Sequence, residues 1–207
     1  MVANLSVDVD NFSPLTLISN KFDNNQGRAL DIKYTNLHEQ YTTCTNNVGE
    51  GAGCIFSISS SVTLEHGTYS KNNGFKNNAQ LAGAFQLELT PTIVKNCTIS
   101  NNLGYEGGVF WIWQGDFELK DSIFEDNIAN HGSVVYNYIW QTKTSGNIDN
   151  CTFTGNTAVS DGAVFILDAD IEITNTNFTS NSSGSSTPSI FLTRVKSAKL
   201  QNNRFEN

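Results

Sequence analysis

Few side chains in this 207-residue sequence stand where their chemistry could be used. Asp168 and Asp170 are two apart, so on an extended strand both carboxylates leave the same side, and Arg194 and Lys196 repeat the spacing. Paired carboxylates beside a cation are what glycoside cleavage needs, one as acid and the other as base or nucleophile. The pair falls where the chain turns, and solvated turn residues account for it equally well. His38, His66 and His131 occur singly, the last two beside glycines. No Gly-x-Ser-x-Gly elbow turns any of the many Ser and Thr residues into a nucleophile. No catalytic residue, metal ligand set or cofactor is assigned.

Cys44, Cys54, Cys97 and Cys151 lack the paired spacing of a zinc site. Cys44 and Cys54 could close a short disulfide loop, which would fit an oxidising compartment. Asn4, Asn11, Asn96, Asn150, Asn177 and Asn181 each begin an Asn-x-Ser/Thr triplet, and Pro14 directly after the Asn11 triplet disfavours modification there. These features point to an extracellular or cell-surface location. Twelve Lys and Arg against twenty Asp and Glu give a net charge of −8, with no basic cluster to hold nucleic acid or an anionic membrane. No apolar run approaches the roughly eighteen residues of a membrane span, and Met1–Asn4 begin no signal segment, so no membrane insertion is expected.

The elements that must position these groups are repeats. An aromatic or aliphatic anchor followed three residues later by Asn recurs at Phe22/Asn25, Tyr69/Asn72, Ile99/Asn102, Phe124/Asn127, Phe153/Asn156 and Phe178/Asn181. Tyr41 fits the anchor with Cys44 in the Asn slot, and Phe205 opens a further copy. Between anchors, Gly precedes a small or apolar pair: Gly27-Arg28-Ala29, Gly53-Cys54-Ile55, Gly83-Ala84-Phe85, Gly108-Val109-Phe110, Gly132-Ser133-Val134 and Gly162-Ala163-Val164, with Pro188-Ser189-Ile190 in the last. Short alternating strands such as Phe85, Leu87 and Leu89 fill each unit. One such unit cannot bury its own apolar face, but stacking units about 4.8 Å apart can. The spacing predicts an all-β, right-handed parallel β-helix of about seven to eight coils. It forms one domain over 1–207, a fragment of a longer repeat protein whose last coil is incomplete at 205–207. The anchors form an internal stack, and Asn25, Asn72, Asn102, Asn127, Asn156 and Asn181 form an internal amide ladder.

These signatures resemble the FxxN and GGA[I/V] repeats of the polymorphic outer-membrane protein family and related pectin-lyase-like surface proteins. They stand here as Phe124-Glu125-Asp126-Asn127, Phe153-Thr154-Gly155-Asn156, Gly107-Gly108-Val109-Phe110 and Gly162-Ala163-Val164-Phe165, and the resemblance covers about 22–205. It implies a secreted, surface-exposed β-helix associated with adhesion. The strict Gly-Gly pair survives only at Gly107-Gly108. The polygalacturonase motifs are absent, apart from a loose likeness of Arg194-Val195-Lys196 to Arg-Ile-Lys.

Counting from each Gly, the third residue should point outward. One outward column is then Leu30, Phe56, Gln86, Trp111, Val135, Phe165 and Phe191, and the next is Ile32, Ile58, Glu88, Trp113, Asn137, Leu167 and Thr193. Most of these are apolar, and such a stripe does not stay wet on a finished surface. It is an interface, or another part of the protein covers it, or the phase is shifted by one residue. The interface reading takes Leu30, Phe56, Trp111, Trp113, Phe165, Leu167 and Phe191 as the binding stripe. Trp111, Trp113, Tyr136, Tyr138 and Trp140 on neighbouring coils could instead stack on sugar rings. Asn96, Asn150 and Asn177 should face out and accept glycans, as should Asn4, whereas Asn181 belongs to the ladder. Cys97 and Cys151 sit two coils apart, about 9.6 Å by strand spacing, and should be free and buried. The expected protein is a non-catalytic extracellular structural or adhesive β-helix. Its stripe and open ends would bind other copies of itself or other protein subunits. The alternative is a carbohydrate-binding or polysaccharide-cleaving β-helix.

Overall fold

A computed structural model describes residues 5–8, 13–76, 79–138, 144–184 and 189–206. Every regular element among them is a strand. The chain is a parallel β-solenoid of about seven turns. Three eight-stranded sheets run its length, here named A, B and C. One coil visits them in order: Phe110–Trp113 in A, Phe117–Lys120 in B and Ile123–Glu125 in C. The short strand Ile128–His131 then leads to the next coil, which enters A at Val135–Tyr138. Ile128–His131, Thr157–Ser160 and Ser182–Ser183 form a three-stranded ribbon between C and A.

Side chains alternate along each strand, so Phe110 and Ile112 are buried while Trp111 and Trp113 face outward half-exposed. The corners are made by single left-handed residues. Tyr34, Ser59, Leu89, Gln114, Asp168 and Arg194 turn the chain from A to B. Tyr41, His66, Asn96, Asp121, Asn150, Asn175 and Asn202 turn it from B to C, at φ between 50° and 56°. One such residue between two extended segments bends the backbone sharply, and Asn or Asp tolerates it best. At several corners the next residue is a small buried one, and where it is Ser or Thr its hydroxyl can serve the neighbouring coil. Cys97 N–H donates to Ser122 Oγ at 3.1 Å, and Cys151 N–H to Thr176 Oγ1 at 3.3 Å. Cys97 and Cys151 are free and buried in this column. Burial pushes their thiols up to about 11 and 12, so neither is a ready nucleophile.

The anchors of sheet C meet the inward rings of sheet A in one core. Phe85 and Phe110 stack at 5.0 Å, Phe124 and Phe153 at 4.8 Å, and Phe153 and Phe178 at 4.8 Å, the offset ring contacts that add to area burial. Beside them runs the ladder Asn25, Asn47, Asn72, Asn102, Asn127, Asn156, Asn181. From Asn47 to Asn156 each Nδ2 donates to the next Oδ1, as Asn102 does to Asn127 at 3.0 Å, and also to an anchor carbonyl one coil back, here Tyr69 O at 3.0 Å. The Oδ1 also accepts the preceding coil's backbone N–H. Both amide hydrogens and the carbonyl are thus satisfied without water.

Two expectations are corrected. Tyr41 is not an anchor: it is a corner residue, 58% exposed, at φ 54°. Sheet C pairs Phe22 with Cys44 and Cys44 with Tyr69, so the small Cys44 is the anchor of that coil and Asn47 its ladder residue. The outward phase fails in two coils. Leu30 pairs with Ile55 and Phe110 with Val135, all inward and fully buried. Gly27 and Gly132 stand one residue ahead of the column that Gly53, Gly83, Gly108 and Gly162 occupy. Counting from them therefore slips every side chain to the other face. Leu30, Ile32, Val135 and Asn137 belong to the interior, not to the stripe.

Candidate functional site

With the register set by pairing, the outer face of sheet A carries Asp31, Phe56, Gln86, Trp111, Tyr136, Phe165 and Phe191 in one column. Ile58, Glu88, Trp113 and Tyr138 follow in the next, with Leu167 and Thr193 above them. Of the expected stripe, Phe56, Trp111, Trp113, Phe165, Leu167 and Phe191 are brought together, and Tyr136 joins them in place of Val135. The column is lined up by its own rings. Tyr136 stacks on Phe165 at 4.8 Å, and Phe165 on Phe191 at 5.6 Å, near-parallel in both pairs. Rings stacked along the rod turn their edges outward, and Phe165 is only 8% exposed. Lower down, the Arg28 guanidinium lies 4.5 Å over the Phe56 ring, while its Nε donates to Glu50 O at 2.7 Å. Trp140 and Asn4 lie outside the described residues.

At mid-height, polar groups gather beside this column. Sheet pairing sets Trp111 beside Tyr136, and a bridge between coils sets Glu106 beside His131. Trp111 Nε1–H donates to Glu106 Oε2 at 3.0 Å. His131 Nδ1 lies 2.5 Å from Asp161 Oδ2. The His131 ring lies 6.0 Å from Tyr105, edge-on, and 6.1 Å from Tyr136. Burial first, and then the negative charges of Glu106 and Asp161, push the Tyr136 phenol up to about 12. Both carboxylates therefore act on one point of the face. All six residues are half-buried.

Backbone geometry marks this place as well. Gly107 and Gly132 are left-handed, at φ 82° and 52°. A Cβ on either would meet a carbonyl oxygen, that of Phe110 at 2.1 Å or that of Val135 at 2.3 Å. The equivalent residue one coil further is not glycine but Asp161, at φ 71°. A side chain has been placed where two preceding rungs exclude one.

Sequence reasoning passed over this cluster, because His131 was a lone turn residue and its partner stands 30 positions away. The pair it did weigh behaves as solvated turn chemistry: Arg194 and Asp168 form an exposed ion pair at 2.6 Å. Cys44 and Cys54 are joined, with Cα atoms 6.2 Å apart, and close the glycine-rich turn between sheets C and A. Asn96 and Asn150 are exposed corner residues between B and C, and Asn177 is exposed at the start of its sheet C strand. Asn181 is half-buried, its amide accepting from Asn156 and donating to Phe153 O. Among the described residues, no group of three His, Cys, Asp or Glu could hold a metal ion.

Fold and face together define a parallel β-solenoid with an aromatic outer sheet. No protein-family model matches the chain, and no curated protein matches it.

Proposed function

We propose that this protein is a non-catalytic extracellular or cell-surface structural solenoid that self-assembles or adheres through the outer face of sheet A. The observation that carries the reading is the line Phe56, Trp111, Tyr136, Phe165 and Phe191, which fills all but one of the outward positions of that column from 56 to 191. A contiguous apolar patch on a protein surface is a contact waiting to be made. Rings presented edge-on beside Ile58 and Leu167 suit a dry protein contact better than sugar stacking, which needs ring faces. The exposed sequons and the Cys44–Cys54 bond support an oxidising, extracellular setting. The likeness of the repeats to those of polymorphic outer-membrane proteins points the same way.

The test compares native protein with a Phe56→Ser/Phe165→Ser/Phe191→Ser variant by sedimentation velocity, negative-stain imaging and retention on a panel of immobilised extracellular proteins. Oligomers, filaments or retention that vanish in the folded variant support the proposal. A wild type that stays monomeric and unretained, or a variant that behaves identically, overturns it.

The second reading, a carbohydrate-binding or polysaccharide-cleaving solenoid, is favoured by one feature: Glu106 and Asp161 flank His131 on successive coils. Release of new reducing ends from neutral or acidic polysaccharides, lost in Glu106→Gln, would establish it.

A further inference from the structure

The polar cluster at mid-height is electronegative throughout. Glu106 and Asp161 bring two carboxylates beside the rings of Tyr105, Trp111 and Tyr136, and Tyr136, at the end of the stacked run, turns its second face away from Phe165. Both charges converge on Tyr136, and among the described residues the cationic partner of these carboxylates is His131. Each carboxylate has one oxygen engaged, Glu106 Oε2 by the Trp111 indole and Asp161 Oδ2 by His131. That fixes the groups in place, and each carboxylate has a second oxygen able to accept from a donor outside. The Glu106 bond also ties the Trp111 indole sideways, out of the stacked run that begins at Tyr136. Aromatic faces next to carboxylates are what an organic cation seeks, and the net charge of −8 draws such a partner in. Asp161 at φ 71°, where the two preceding coils carry glycine, places one of those carboxylates in a conformation that glycine adopts more readily.

From this juxtaposition we infer that Tyr105, Glu106, Trp111, His131, Tyr136 and Asp161 form a binding site for a Lys ammonium or Arg guanidinium presented by a basic protein partner. The site rests on the attachment reading above and names the chemistry of what attaches. The basic side chain anchors at mid-height, and apolar partner residues cover the ring edges on either side.

The probes are end-blocked glycine pentapeptides with a central Lys, Arg or Gln, together with tetramethylammonium chloride and chitohexaose. The readout is the indole N–H resonance of Trp111. The Lys or Arg peptide should shift it saturably and the Gln peptide should not. Glu106→Gln should weaken binding about tenfold, while Glu172→Gln on the outer face of sheet B leaves it unchanged. Asp161→Gly should abolish binding and at the same time raise the urea midpoint, an opposition that general loss of structure cannot mimic. Equal binding of the Gln peptide, an unmoved resonance with both cationic peptides, or a response to chitohexaose alone would each overturn the inference. If the triple serine variant loses attachment but Glu106→Gln and Asp161→Gly keep it, the cation site falls and the attachment reading stands. If the serine variant attaches normally, the attachment reading itself has failed.

Discussion

Replacing Glu39 by Gln should stabilise the protein above pH 7 and remove most of its loss of stability between pH 5 and 8. Glu39 points inward from sheet B, between Leu17 and Leu64 on the neighbouring rungs, and is fully buried. Its Oε2 accepts from the Tyr69 hydroxyl at 2.9 Å, while Oε1 meets no donor among the described residues. Burial raises the carboxyl from an ordinary 4.5 to about 7, with the Tyr69 bond pulling the other way. Below pH 4.5 the group is protonated both folded and unfolded and contributes no slope. From 4.5 to about 7 the folded chain keeps a proton that the unfolded chain has released, so stability falls as pH rises. At about 1.4 kcal/mol per pH unit, this interval costs about 3 kcal/mol, and the loss is complete above pH 7. Gln fills the same volume and carries no charge. Urea unfolding of both proteins from pH 5 to 8, followed by circular dichroism, gives the difference. Subtracting one curve from the other cancels the contribution of every group that both proteins share. Parallel curves, with the variant tracking wild type at every pH, would refute the burial argument.

Other consequences are smaller in scope. Asn127→Ala should lower stability by about 3 kcal/mol in urea titrations, since it leaves Ile99 O and the amides of Asn102 without their partner in a dry core. Leu89→Asn should raise it by about 1 kcal/mol, because Leu89 is an exposed corner residue at φ 50° where a branched aliphatic is strained. Cys44→Ser/Cys54→Ser should cost about 2–3 kcal/mol by the loop-entropy account, seen as a lower thermal midpoint that reducing agent does not lower further. After secretion from a glycosylating host, glycopeptide mass spectrometry should find sugar at Asn96, Asn150 and Asn177 and none at Asn181.

The repeat was legible wherever two columns imposed themselves together. Phe124 must fill the core and Asn127 must hydrogen-bond both neighbouring coils, so the pair stands in the sequence as a spaced motif. It failed in the coil where Cys44 took the anchor slot, because the nearest aromatic, Tyr41, suggested an equally good alignment. The side of each strand depends on a one-residue phase, and a flexible turn can absorb a glycine displaced by one, as at Gly27 and Gly132. Local counting cannot see that shift, whereas pairing with a neighbour can. The His131–Asp161 contact was beyond reach for a related reason. Which residues meet across coils depends on the length of each intervening turn, and ladder partners here lie between 22 and 30 residues apart.

The direction of the hydrogen bonds has a mechanical corollary. Strands lie across the rod, so every coil-to-coil bond, including the whole Asn ladder, points along its axis. Tension applied between the first and last coils therefore loads these bonds one rung at a time, as a zipper is opened, rather than many at once in shear. Under such a pull the rod yields by shedding coils from an end at low force, each releasing roughly 25 residues of slack. A solenoid pulled in this way lengthens from its ends before its middle coils are disturbed.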